Sequence, residues 1–290
     1  MIDQEKRAGG HEADGQRPAR PSYRMHAALT TLIDRLDGPA VSGTDVIRWG
    51  CPVPSFGDLS SARVATVGLN PSNREFVDEL GNELQGTFRR FQTLRSLGLK
   101  SWSEIDARHL RLIIESCRTY FLGNPYDTWF KKMEQIVSGA KASFYDPSCG
   151  ACHLDLIPYA TARNWTELTA RQRSLLLAAA ADTLALLLRD SPVRILILNG
   201  RSVVEQFQDI AGISLERQQM PSWSLSRQAK RDVIGFGYKG VVETISGIRL
   251  PHEITVLGYN HNIQGSFGVT TEVIRAIRGW IAKSIGEATV

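Results

Sequence analysis

Three short stretches of this chain gather side chains able to do chemistry, and each follows an apolar run. The first is Gly68-Leu69-Asn70-Pro71-Ser72. The second runs from Asp155 to Asn164, and the third from Gly258 to Gly268, with Asn260, His261, Asn262 and Gln264. They supply an amide that donates and accepts, a carboxylate that when ionised only accepts, and an imidazole. Open α/β sheets bind ligands beyond the carboxyl ends of their parallel strands, so three such loops lying side by side would form a ligand site. Other chemistries lack their signatures. There is no Gly-x-x-x-x-Gly-Lys phosphate loop and no Gly-x-Gly-x-x-Gly fingerprint. The six histidines are scattered rather than grouped with aspartates as a metal-dependent hydrolase would need.

The elements that must position these loops read clearly. Val64 to Val67 is an apolar, β-branched run and predicts a buried strand. Gly68 lets the backbone turn and lets a ligand come close, and Pro71 pushes Asn70 toward an extended conformation. Ala151 to Ile157, closed by Pro158, reads as a second strand. Val193 to Leu198 reads as a third, followed by Asn199-Gly200-Arg201-Ser202, and Glu253 to Leu257 as the last. Helical spacing is expected over Met25–Leu36, Gly86–Leu99, Ser103–Tyr120, Asp127–Val137, Glu167–Arg189 and Thr270–Ile285, with another helix after Ser202 and a turn at Gly123-Asn124-Pro125-Tyr126. Strands alternating with helices predict an α/β fold, a three-layer α/β/α arrangement around a central, mostly parallel four-stranded sheet. Residues 1–22 read as a disordered tail and 23–290 as a single domain. Its irregular 211–250 insertion holds an inserted hairpin, Val233–Tyr238 and Val241–Ile248, about Lys239-Gly240.

With 42% hydrophobic and 22% charged residues, the 290-residue chain has an ordinary globular composition. No apolar run approaches the ~18 residues of a membrane span. The longest apolar block, Leu175–Leu188, is interrupted by Asp182 and Thr183. The first residues carry charges but no apolar core, so no export signal, a cytoplasmic location and reduced thiols are expected. A net charge of +4 permits nucleic-acid binding and argues against a strongly cationic substrate.

Gly68-Leu69-Asn70-Pro71-Ser72 resembles the first signature of the uracil-DNA glycosylase superfamily, in the Asn form found in its mismatch-specific and single-strand-selective branches. The resemblance implies that Asn70 holds the water that attacks the sugar carbon. His261, after the last strand and before the last helix, is similar in position to the histidine of the second signature. That histidine faces the base carbonyl while its loop wedges into the duplex. The Pro-Ser-Pro that usually follows is replaced by Asn262-Ile263-Gln264. Asp155-Leu156-Ile157-Pro158 resembles the segment in which single-strand-selective enzymes read the flipped uracil with an Asn three residues before a Pro. An aspartate there would repel O4 of uracil and accept from the N4 amino group of cytosine. It would also favour a ring protonated at N3.

The same resemblance places Gly68, Leu69, Ser72, Phe76 and Asn262 at the substrate, with Phe76 as the aromatic platform for the base. It makes Arg163, Asn164, Lys131, Lys132, Arg201, Gln264 and Ser266 candidates for DNA contact. The plainer alternatives are a core Phe76, an Asp155 that caps nearby backbone, a solvent-facing His261, and solvated charges. No Schiff-base lysine is identifiable, so a monofunctional enzyme that leaves an abasic site is expected, without a cofactor, membrane contact or obligate protein partner. Some glycosylases of this superfamily hold a four-cysteine iron–sulfur cluster. Cys149-Gly-Ala-Cys152 has metal-binding spacing, but their N-terminal Cys-x-x-Cys is absent, and Cys51 and Cys117 would have to converge. The implied substrate is a modified cytosine, hydroxymethylated or glucosylated as in phage DNA, in a defence setting. Uracil or damaged-pyrimidine repair, and a module that binds modified DNA without cutting it, are the alternatives. The expectation depends on Asn70, Asp155 and His261 facing one nucleobase-sized cavity.

Overall fold

A computed structural model describes residues 21–123, 127–226, 232–265 and 268–288. The helices are α1 (Pro21–Asp37), α2 (Leu94–Leu97), α3 (Ala107–Arg118), α4 (Asp127–Val137), α5 (Ala170–Ala180), α6 (Thr183–Leu188), α7 (Arg201–Ala211) and α8 (Thr271–Ala288). The strands are β1 (Val64–Gly68), β2 (Ala151–Asp155), β3 (Ile195–Asn199), β4 (Glu216–Gln219), β5 (Phe236–Ile245) and β6 (Ile248–Tyr259). They form one mixed sheet in the order β2-β1-β3-β6-β5-β4, with helices on both sides, an α/β fold. The first four strands are parallel. β5 and β4 add on antiparallel at one edge, so the inserted segment extends the sheet to six strands.

Alternation along the strands sends successive side chains to opposite faces. Ala65, Val67, Cys152, Leu154, Leu196 and Leu198 pack with α6 and α7. Val64, Ala151 and Ile197 pack on the other face, with α1, α3, α4 and α8. The same period puts Thr66, Gly68, His153, Asp155 and Asn199 on that second face. The register pairs Thr66 with His153 and Gly68 with Asp155. The Pro-rich segment before β1 is buried over residues 51–57. It lies along the outer edge of β2, where Phe56 and His153 exchange backbone hydrogen bonds of 2.8 and 2.9 Å.

Four local expectations change in the structure. Lys239-Gly240 is not a turn but lies inside β5, where a Cβ on Gly240 would come within 2.6 Å of Leu215. The chain reverses instead at Ser246-Gly247, both at positive φ (49° and 75°), the two-residue turn whose twist matches antiparallel strands. The long helix expected over Glu167–Arg189 breaks at Asp182, whose carboxylate takes both guanidinium nitrogens of Arg35 at 2.6 and 2.8 Å. Ser246 Oγ caps the freed Ala181 carbonyl at 2.6 Å. Gly86–Leu99 is mostly non-helical. Its apolar residues share no face, since Phe91 is buried and Phe88 is 78% exposed. The helix expected from Ser103 starts later, capped by Asp106, which accepts from the backbone of Arg108 and His109. The turn expected over 123–126 falls largely outside the described residues, and so does most of the tail over 1–22, of which Pro21 and Ser22 open α1. No helix of the described residues is long and apolar enough to cross a membrane.

Candidate functional site

A cavity of about 250 Å³ opens at the carboxyl ends of β1, β2 and β3, on the α3/α4/α8 face. Asn70, Glu75, His153, Asp155 and Asn199 bring their polar groups to it, and Phe56, Trp129, Phe130 and Trp165 wall it with rings. Leu69, Ser72, Arg163, Asn164 and Asn262 complete the lining named from the sequence.

β2 carries the centre of the site. His153 and Asp155 stand two residues apart on the same face, each nearly fully buried. Thr66 Oγ1 lies 2.8 Å from His153 Nδ1. With that hydroxyl donating, the ring proton sits on Nε2, which is 3.4 Å from Asp155 Oδ1. The site therefore presents an acceptor beside a donor. Phe56 and Trp129 hold the imidazole, with ring centroids 5.5 and 5.1 Å from it. Gly68 is what lets this pair fit under β1. A Cβ there would run into Asp155 Oδ1 and lie 3.0 Å from His153 Nε2.

Asn70 follows at the strand end. Its amide nitrogen donates to Thr161 Oγ1 at 3.0 Å and to the Pro71 carbonyl at 3.1 Å. Thr161 in turn donates to the Arg163 carbonyl at 2.8 Å. The amide is thereby locked, and among the described residues nothing donates to Asn70 Oδ1. Ser72 takes the backbone N–H of Arg74 and opens a short 3-10 turn, Asn73–Glu75, that turns Glu75 inward. Glu75 is 3% exposed. Tyr120 Oη sits 3.1 and 3.0 Å from its two oxygens, and Arg90 Nη1 is 3.6 Å away. Burial pushes this carboxyl up to about 7, with Asp155 adding to the rise and Arg90 and Tyr120 opposing it. On the far wall Asn199 donates to Gln264 Oε1 at 3.1 Å, while Asn199 Oδ1 and Gln264 Nε2 are buried without a protein partner among the described residues.

Two residues expected in the site are elsewhere. His261 does not line the cavity. Its imidazole is 2% exposed, and its Nε2 donates to the Trp223 carbonyl at 2.6 Å. A carbonyl only accepts, so Nε2 must carry the proton, and burial holds the ring below its ordinary pKa. The partner comes from the 211–250 insertion, which the spacing of the loop could not reveal. Phe76 is a core residue. It packs edge-on to Trp49 and against Phe91, and its ring fills the space left by Gly50.

The charged candidates are mostly engaged. Arg163 makes a forked pair with Asp45, at 3.0 and 3.2 Å, and its backbone N–H adds a third bond. Asn164 caps the turn Trp165–Glu167. Arg201 pairs with Glu205 at 2.6 Å, and Lys131 is exposed on α4. Ser266 lies outside the described residues. A second groove, of about 760 Å³, adjoins the cavity across Trp129 and is lined by Arg74, Arg90, Lys132 and Gln264, with Asp78 and Glu79. Cys51, Cys117 and Cys152 are buried and Cys149 is exposed, all as free thiols. The described residues include no group of three His, Cys, Asp or Glu placed to hold a metal ion.

The sequence reading missed Glu75, His153, Phe56, Trp129 and Asn199. A histidine two residues before Asp155 in an apolar strand was the one available signal, because period 2 places both on one face. No protein-family model matches the chain, and no curated protein matches it.

Proposed function

We propose that this chain is a monofunctional DNA glycosylase that hydrolyses the bond between deoxyribose and a flipped-out pyrimidine of cytosine type, leaving an abasic site. One observation carries the reading. The locked amide of Asn70, with Oδ1 left over, and the carboxylate of Asp155 share a single cavity of about 250 Å³ walled by aromatic rings. An extruded base needs such a pocket, with ring faces to stack on and polar groups for its edge.

Breaking the glycosidic bond develops positive charge on the sugar. A water held by Asn70 Oδ1 is then oriented for attack, and water meeting a nearly formed cation needs orientation more than deprotonation. Asp155 accepts from the exocyclic amino group, and His153 Nε2–H is a donor beside it. His153 thus supplies the cavity's imidazole in place of His261. Arg74 and Lys132 of the adjoining groove suit the phosphates flanking the flipped nucleotide. A modified cytosine, such as that of phage DNA, is the substrate we favour, because excision of plain cytosine would be toxic.

The withdrawal of His261 favours one second reading, a module that binds modified DNA without cutting it. One experiment separates them. The protein is incubated with DNAs carrying uracil, 5-hydroxymethylcytosine and glucosylated cytosine, and alkali-labile sites and free base are measured. Release from a cytosine derivative, abolished by Asn70→Ala and shifted toward uracil by Asp155→Asn, supports the glycosylase. Binding without release supports the module.

A further inference from the structure

Glu75 is the buried group that the mechanism above leaves unused. It sits on the cavity wall, five residues beyond Asn70, with Arg90 as its nearest positive charge at 3.6 Å. Tyr120 faces it from the segment after α3, Arg90 from the extended chain before α2, and Asp155 and His153 from β2. The phenolic proton of Tyr120 is shared between two oxygens at nearly equal distances, 3.1 and 3.0 Å. Arg90 approaches at 3.6 Å rather than as a close fork. Two carboxyl groups, Glu75 and Asp155, thus line one small cavity, and like charges so placed do not both ionise readily.

We propose, resting on the glycosylase reading, that Glu75 is the catalytic acid, giving its proton to N3 of a cytosine-type base whose amino group is held by Asp155. The pairing follows from the edge of the base. Cytosine presents a donor, the N4 amino group, next to an acceptor, N3. A carboxylate at Asp155 and an O–H at Glu75, on the wall of one cavity, are the complementary acceptor and donor. Uracil presents the reverse order. Burial, which raises the Glu75 carboxyl to about 7, supports the assignment.

The step balances. The Glu75 O–H bond breaks and an N3–H bond forms. The N1–C1′ bond then breaks with its electron pair moving to N1, so the base departs neutral. Water forms the new C1′–O bond and loses one proton to solvent, and Glu75 regains a proton from solvent.

The test compares leaving groups. Duplexes carrying 5-hydroxymethylcytosine and 5-fluorocytosine are treated with wild type, Glu75→Gln and Glu75→Asp across the pH range. Fluorine withdraws electrons, so that base needs the acid less. Glu75→Gln is expected to lose about 10²–10⁴-fold on 5-hydroxymethylcytosine, far less on 5-fluorocytosine, and the high-pH fall of the wild-type profile with it. Glu75→Asp should recover part. Wild-type rate and pH profile in Glu75→Gln overturn the proposal, and so does an equal loss on both bases, which marks a structural role. Release of no base by the wild type overturns the glycosylase reading itself. A carboxyl-carbon NMR titration, assigned with Glu75→Gln, works without activity. Glu75 titrating near neutrality supports the acid, and titration in the ordinary glutamate range overturns it.

Discussion

Replacing Glu75 by glutamine makes a quantitative claim about stability that needs no substrate. The folded carboxyl is raised from 4.5 to about 7, chiefly by burial. Between those two values the folded chain holds a proton that the unfolded chain has released. Stability therefore falls as pH rises through that window and levels off above it. At about 1.4 kcal/mol per unit, this one group costs the wild type roughly 2–3 kcal/mol between about pH 5 and pH 8. Glutamine is neutral throughout and still accepts from Tyr120, so it removes that slope. Urea unfolding of both proteins across this range, plotted as the difference in unfolding free energy, should show Glu75→Gln gaining on the wild type with rising pH. Parallel curves would mean that Glu75 is ionised in the folded chain like an ordinary glutamate, and the account of the cavity's electrostatics would fall.

Further outcomes follow from the same geometry. Gly68→Ala forces Asp155 and His153 away from β1, and a displacement of about 1 Å at a positioned group costs on the order of 10²-fold in rate. Base-release kinetics at unchanged far-UV circular dichroism check it. Phe76→Ala empties a core site and should cost about 3–5 kcal/mol in unfolding. A stability within about 0.5 kcal/mol of wild type would mark Phe76 as a surface platform instead. His261→Ala leaves the buried Trp223 carbonyl without its donor and should cost about 1–3 kcal/mol, while release per folded molecule stays near wild type. Arg74→Ala with Lys132→Ala should weaken DNA binding for all sequences and flatten the logarithmic salt dependence by about 1 per lost phosphate contact.

Local sequence settled the parts of the site that lie within one stretch of chain. The run Val64–Val67 and Gly68 determined a buried strand and a close approach at its end. Asp155 was legible as a carboxylate at a strand end, because an apolar run closed by Pro158 has few other conformations open to it. Four parallel strands with helices between them were legible for the same reason, since periodicity is a local property of the backbone. Tertiary structure decided everything that depends on pairing between distant segments. The β1–β2 register sets Thr66 against His153 and Gly68 against Asp155, and so places the imidazole and the carboxylate at the floor of one cavity. Tyr120 and Arg90 receive the Glu75 that the Ser72-capped turn points inward, although nothing in the run Asn73-Arg74-Glu75-Phe76 distinguishes a buried acid from a solvated one. His261 shows the limit most plainly. Its place in the chain put it at the mouth of the site, and a carbonyl from a segment 38 residues earlier drew it away. A hydrogen bond is satisfied by whichever partner the fold brings near, and spacing along the chain carries no record of that choice.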